Sequence, residues 1–128
     1  MSMGYGSNYA DVLDEKVIKD SCPKEWKEFM SALKNQGFDL DEFAECINLG
    51  ELEEENKNLQ ELFVNLREAL EARTGMEISL LYHNSDDNGD RYDDVNGAFF
   101  HVDNFYIKNP VLERFHDKVE RKFFVTFG

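Results

Sequence analysis

The chain reads as an α+β protein, with an N-terminal four-helix segment packed on a C-terminal three- to four-stranded antiparallel sheet. Three observations predict this. Apolar residues recur at helical spacing as far as residue 73, the period changes to alternation from residue 76, and the two kinds of run are segregated along the chain. A doubly wound parallel sheet would interleave them, and neither glycine-rich phosphate loop of such folds is present in the sequence.

Residues 1–7 are small and glycine-rich and read as a flexible arm. The remainder, 8–128, reads as one domain, helical over 8–75 and sheet over 76–128. Tyr9, Leu13 and Val17 fall four apart with Val12 beside them, which predicts a first helix over 8–20 capped by Ser7 or Asn8. Pro23 ends that helix, because it disfavours helical geometry at Cys22, and suits the first position of the next. Trp26, Phe29, Met30 and Leu33 give the second helix its apolar face, and Gly37 closes it.

Asp39 and Glu42 have the spacing of a capping box, with Phe38 and Phe43 placed as a hydrophobic staple. This third helix is short and stops at Gly50. Leu52, Leu59 and Leu66 are seven apart, with Leu62, Phe63, Ala69 and Leu70 between and after them, so a fourth helix is expected over 52–73 with Gly75 at its end. The same heptad-like seam, interrupted at Glu55, is a candidate homodimer contact through 52–73.

Met76, Ile78, Leu80 and Tyr82 alternate with Glu77, Ser79, Leu81 and His83, the pattern of a half-buried strand. Residues 98–102 and 105–107 are rich in strand formers, with Asp103 and Asn104 forming either a hairpin turn or a bend in one strand. A short helix or turn is expected from Asn109 through Asp117, then a last strand from Val119 to Phe127.

At 128 residues the chain is long enough for one core without disulfides or metals, and 41% hydrophobic content with eleven Phe argues against a disordered acidic tail. Its formal charge is −13. Nucleic acids and anionic membranes are polyanions, so direct binding to either is disfavoured, while basic protein surfaces and cations are favoured. Cys22 and Cys46 make no disulfide framework and lie on separate expected helices. With no apolar run long enough to span a bilayer and no basic-then-apolar start, a cytoplasmic protein is expected.

The charge is unevenly distributed. Asp39, Asp41, Glu42, Glu45, Glu51, Glu53, Glu54 and Glu55 occur within 17 residues with no lysine or arginine among them. Residues 84–97 hold five aspartates and one arginine, and this net −4 equals the net charge of the whole 76–128 segment. The leading expectation is therefore a small non-enzymatic interaction or regulatory protein that presents carboxylates to a basic partner. Its contacts would come from Asp86, Asp87, Asp90, Arg91, Tyr92, Asp93 and Asp94 in the loop, and from Glu51, Glu53, Glu54 and Glu55 beside the helices. Tyr92 and Arg91 stand out because Tyr and Arg are enriched at interface hot spots.

Three alternatives follow from the same residues. Asp86, Asn88, Asp90 and Asp94 are a candidate calcium set, since hard cations take several oxygen ligands; no other cofactor is expected. An EF-hand is excluded, because Val95 falls where a bidentate glutamate is needed and the flanks read as strands. Carboxylates at phosphate-like spacing could also make the protein a nucleic-acid mimic that inhibits a nucleic-acid-binding partner. Finally, His101 and Asp103 share a strand face and form a candidate dyad for a hydrolase-type enzyme, although no serine or cysteine stands in a nucleophile-elbow context. With residue 83 opposite 98, His101 would face Leu80 and lie too far from His83 to share a transition metal with it.

Overall fold

The computed structural model describes residues 5–83, 95, 97–103 and 114–127, the side chains of 5–8, 116 and 123–127 excepted. The first element is a strand, β1 (Tyr5–Leu13), followed by three helices, α1 (Glu15–Ser21), α2 (Pro23–Asn35) and α3 (Leu40–Leu49). A 3-10 turn (Glu54–Asn56) leads into α4 (Lys57–Thr74). Strands β2 (Ile78–His83), β3 (Gly97–Val102) and, after a second 3-10 turn at His116–Lys118, β4 (Val119–Phe127) complete the described elements.

Among the described residues, four helices and a four-stranded antiparallel sheet make this an α+β fold, with strand order β2-β3-β1-β4. The expected segregation of helices before strands is only partly observed. Where the spacing of Tyr9, Leu13 and Val17 predicts a helix over 8–20, the chain forms β1 and a shorter helix behind it, and the strand includes residues 5–7. The reason is that β1 lies inside the sheet and is covered on both faces. Ala10 and Leu13, on opposite faces, are each 2% exposed, so the strand shows no simple inside-outside alternation to read. Asp14, not Ser7 or Asn8, caps α1, its carboxylate accepting from the Lys16 N–H at 3.0 Å.

The other helices begin and end where local chemistry directs. Pro23 opens α2, Asp39 accepts from the Glu42 N–H at 2.8 Å to open α3, and glycines at φ 80°, 68° and 76° follow α2, α3 and α4 at Gly37, Gly50 and Gly75. α4 starts later than the heptad pattern suggests, so Leu52 packs on the core from outside the helix. Leu59, Phe63, Leu66 and Leu70 are all buried in the chain's own core.

That core lies between the helices and one face of the sheet. Leu13, Ile78, Leu80, Phe100, Val102 and Val119 supply the sheet side, and Phe29, Phe43 and Phe63 meet at its centre with ring centroids 5.1–5.7 Å apart. The opposite face carries a smaller cluster of Ala10, Val95 and Phe99 with Val12 and Leu81 packed against it. Edge strand β2 is tied down by side chains from the helices: the Ile78 N–H donates to Glu71 Oε2 at 2.9 Å, and Asn48 Nδ2 donates to the Leu80 carbonyl at 3.3 Å. Such bonds satisfy backbone groups that an uncovered edge would leave open to pairing.

Candidate functional site

The loop singled out by its charge rejoins the sheet at a defined anchor. The Ala98 N–H donates to Asp41 Oδ1 at 2.8 Å, so the first turn of α3 holds the chain where β3 begins. Gly97 has φ +94°, and a Cβ there would lie 3.1 Å from the same carboxylate oxygen. Val95 is buried against Ala10 and Phe99 on the far face of the sheet. Asp86, Asp87, Asn88, Asp90, Arg91, Tyr92, Asp93 and Asp94, the expected contact and calcium residues of the loop, lie outside the described residues.

The second acidic stretch is fully described. Asp39, Asp41, Glu42, Glu45, Glu51, Glu53, Glu54 and Glu55 are all exposed, along α3 and the connection to α4. Two have local roles, Asp39 as a helix cap and Asp41 as the β3 anchor. Glu54 pairs with Lys57 at 3.1 Å, but both are solvated, so the pair contributes little to stability. Four of the others, Glu42, Glu45, Glu51 and Glu53, act on Cys46. Burial pushes this thiol above the ordinary cysteine range, and the carboxylates of Glu51, Glu45, Glu42 and Glu53 push it further in the same direction. Leu49, one helical turn from Cys46, is 60% exposed amid these acids.

Cys46 therefore reports on the local field. We expect a neutral alkylating reagent to modify one thiol in the native protein and two in denaturant, since Cys22 is fully buried. Native alkylation should be slower than that of a free cysteine at the same pH, because less thiolate is present. It should accelerate with added salt as the carboxylates are screened. A rate unchanged by salt would show that the carboxylates do not act on Cys46.

The expected His101–Asp103 pair is formed, with His101 Nδ1 2.7 Å from Asp103 Oδ1. A third member, not recognised in the sequence, is Ser79, whose hydroxyl donates to Asp103 Oδ2 at 2.6 Å. The register differs by one residue from the sequence expectation: His83 pairs with Gly97, so His101 faces Ser79 and not Leu80. Four residues separate Ser79 from His83, roughly 13 Å at the usual strand rise. The order of bonds is Ser–Asp–His. A serine protease needs Ser–His–Asp so that the imidazole can take the hydroxyl proton. With the aspartate in the middle, the three side chains act as a clamp between β2 and the end of β3.

Asp11 is a further charged residue the sequence did not single out. It is 7% exposed on β1 and receives a hydrogen bond from Arg121 Nε at 3.3 Å, while the guanidinium lies 5.9 Å from the Tyr9 ring centroid. Between α4 and the α1–α2 junction, Arg73 donates to Glu25 Oε1 at 3.1 Å and to the Ser21 carbonyl at 2.9 Å. The hydrogen bond from Arg73 holds the Glu25 carboxyl below its usual range.

Among the described residues no group of three or more His, Cys, Asp or Glu side chains is placed to hold a metal ion, and no helix is long and apolar enough to cross a membrane. Comparison with family models, curated proteins and solved structures finds no match to this chain. The site must therefore be read from its own chemistry.

Proposed function

We propose that this protein is a non-enzymatic interaction module that binds a basic partner protein through the acidic corner formed by α3 and its connection to α4. The observation that carries the reading is the exposure of all eight carboxylates between Asp39 and Glu55, four of which raise the Cys46 thiol together. Capping and anchoring account for two of the eight, so most of this charge has no structural task among the described contacts. The remaining carboxylates and Leu49 face solvent on the same corner, where a partner can reach them.

Asp41 adds a geometric reason to include the aspartate-rich loop in the same surface. Its bond to Ala98 holds the start of β3, which follows the aspartate-rich segment in the chain, beside the first turn of α3. A partner for this surface would carry positive charge. Nucleic-acid mimicry is a special case of this proposal, distinguished by a partner that loses binding when DNA competes for it.

Affinity for such a partner should fall steeply with salt, because exposed charges are screened within about 10 Å at 0.1 M ionic strength. Isothermal titration with poly-lysine at low and high salt tests the premise. Replacing Glu51, Glu53, Glu54 and Glu55 with glutamine should weaken binding more than the same change at four glutamates outside the stretch, Glu15, Glu28, Glu68 and Glu120. Equal losses from the two sets would reduce the interaction to net charge and reject the corner as its site.

A further inference from the structure

Two shallow depressions meet at the corner between α3 and α4. One, of about 200 Å³, is lined by Cys46, Ile47, Gly50, Leu52, Lys57 and Gln60. The other, of about 480 Å³, continues over Glu61, Val64 and Asn65 on the outer side of α4 and shares Lys57 and Gln60 with the first. The shared wall joins them into one open groove. From Lys57 to Asn65 it follows α4 for roughly 12 Å at helical rise, about two turns of a helix laid against it.

The groove combines apolar footholds with an excess of neighbouring carboxylates over the lining Lys57. Ile47, Leu52 and Val64 are half-buried along it, and Leu49, next in the chain to the lining Gly50, is largely exposed. The carboxylates of Glu42, Glu45, Glu51 and Glu53 act on Cys46 within its wall, and Glu61 lines the far part. Lys57, the cation among the lining residues, has Glu54 Oε2 3.1 Å from its ammonium. A second copy of the chain, itself at −13, is repelled from such a surface, and so is any polyanion.

We infer that the groove docks a basic amphipathic segment of the partner, about two helical turns long. Its apolar side chains rest on Ile47, Leu49, Leu52 and Val64, and its lysines or arginines face the α3 carboxylates. Helix-in-groove recognition of this kind takes specificity from apolar anchors and on-rate from complementary charge. The inference rests on the basic-partner reading above and deepens it, replacing a diffuse charge contact with a shaped one.

Fluorescence anisotropy with two labelled probes separates the two ideas. The first probe is a short amphipathic leucine–lysine peptide; the second has the same lysines with every leucine replaced by serine. The leucine peptide should bind about tenfold tighter, the value of burying roughly one apolar side chain. A protein carrying Leu49→Gln and Val64→Thr should lose that advantage yet bind the serine peptide as before. Both positions lie at the surface or half-buried, and an unchanged far-ultraviolet circular dichroism spectrum establishes that the variant is folded. Equal affinity for the two peptides, or an advantage that survives the double substitution, overturns the groove while leaving the acidic surface standing. Absence of salt-dependent binding by either peptide overturns the basic-partner reading itself.

Discussion

Replacing Phe29 with alanine should lower the free energy of unfolding by about 3–5 kcal/mol, the cost of removing a buried aromatic ring and leaving a cavity. Phe29 is fully buried and touches both other members of the central trio, at 5.1 Å from Phe43 and 5.6 Å from Phe63 by ring centroid. These rings come from α2, α3 and α4, so the cavity opens where three helices meet over the sheet. Domains of this size are stable by only about 5–15 kcal/mol, so a large share of the total is at stake. Urea unfolding followed at the single tryptophan, Trp26 beside Phe100, measures the change. A loss below about 1 kcal/mol would mean that the trio is not the packed centre of the fold, given the usual range for such truncations.

The second large effect is expected at Gly97. Alanine there must adopt φ +94°, a conformation that side chains rarely take, and its Cβ would press on Asp41 Oδ1 at 3.1 Å. A strained backbone position of this kind costs on the order of 1–3 kcal/mol. Relief requires the Asp41 carboxylate to move, which breaks its bond to the Ala98 N–H. We therefore expect Gly97→Ala to destabilise the protein and to speed hydrogen exchange at Ala98. Asp41→Ala should speed exchange at the same amide without introducing backbone strain. Wild-type protection of Ala98 in both variants would show that Asp41 does not hold the entry to β3.

Gly97 also illustrates how far local sequence can be read. The dipeptide Asn96-Gly97 is a turn signal in any context, and its place between a polar loop and a strand is evident from composition. The partner that makes the glycine necessary lies 56 residues earlier, in the first turn of α3. Asp41 was visible only as an acid near a helix N-terminus, where the macrodipole already explains it. Cys46 already stood among Glu42, Glu45, Glu51 and Glu53 in the sequence, but the burial that does most to raise its thiol came from the fold. Ser79 joined the His101–Asp103 pair because the register of β2 on β3 fell one residue from the expected one.

The sequence by itself determined the α+β class, both ends of α2 and α3, the C-terminal end of α4, the last strand and the acidic charge of the chain. Proline, capping aspartate and terminal glycine act within a turn or two of the backbone, so their information is local. Only the tertiary structure decided β1. Its nine register pairs with β4 begin at Tyr5 with Phe127, and burial on both faces removed the alternation that marks a strand. The same distinction holds for the acidic stretch: its charge is carried by composition, whereas the depressions lined by residues 46–65 depend on how α3, its connection and α4 fold against one another.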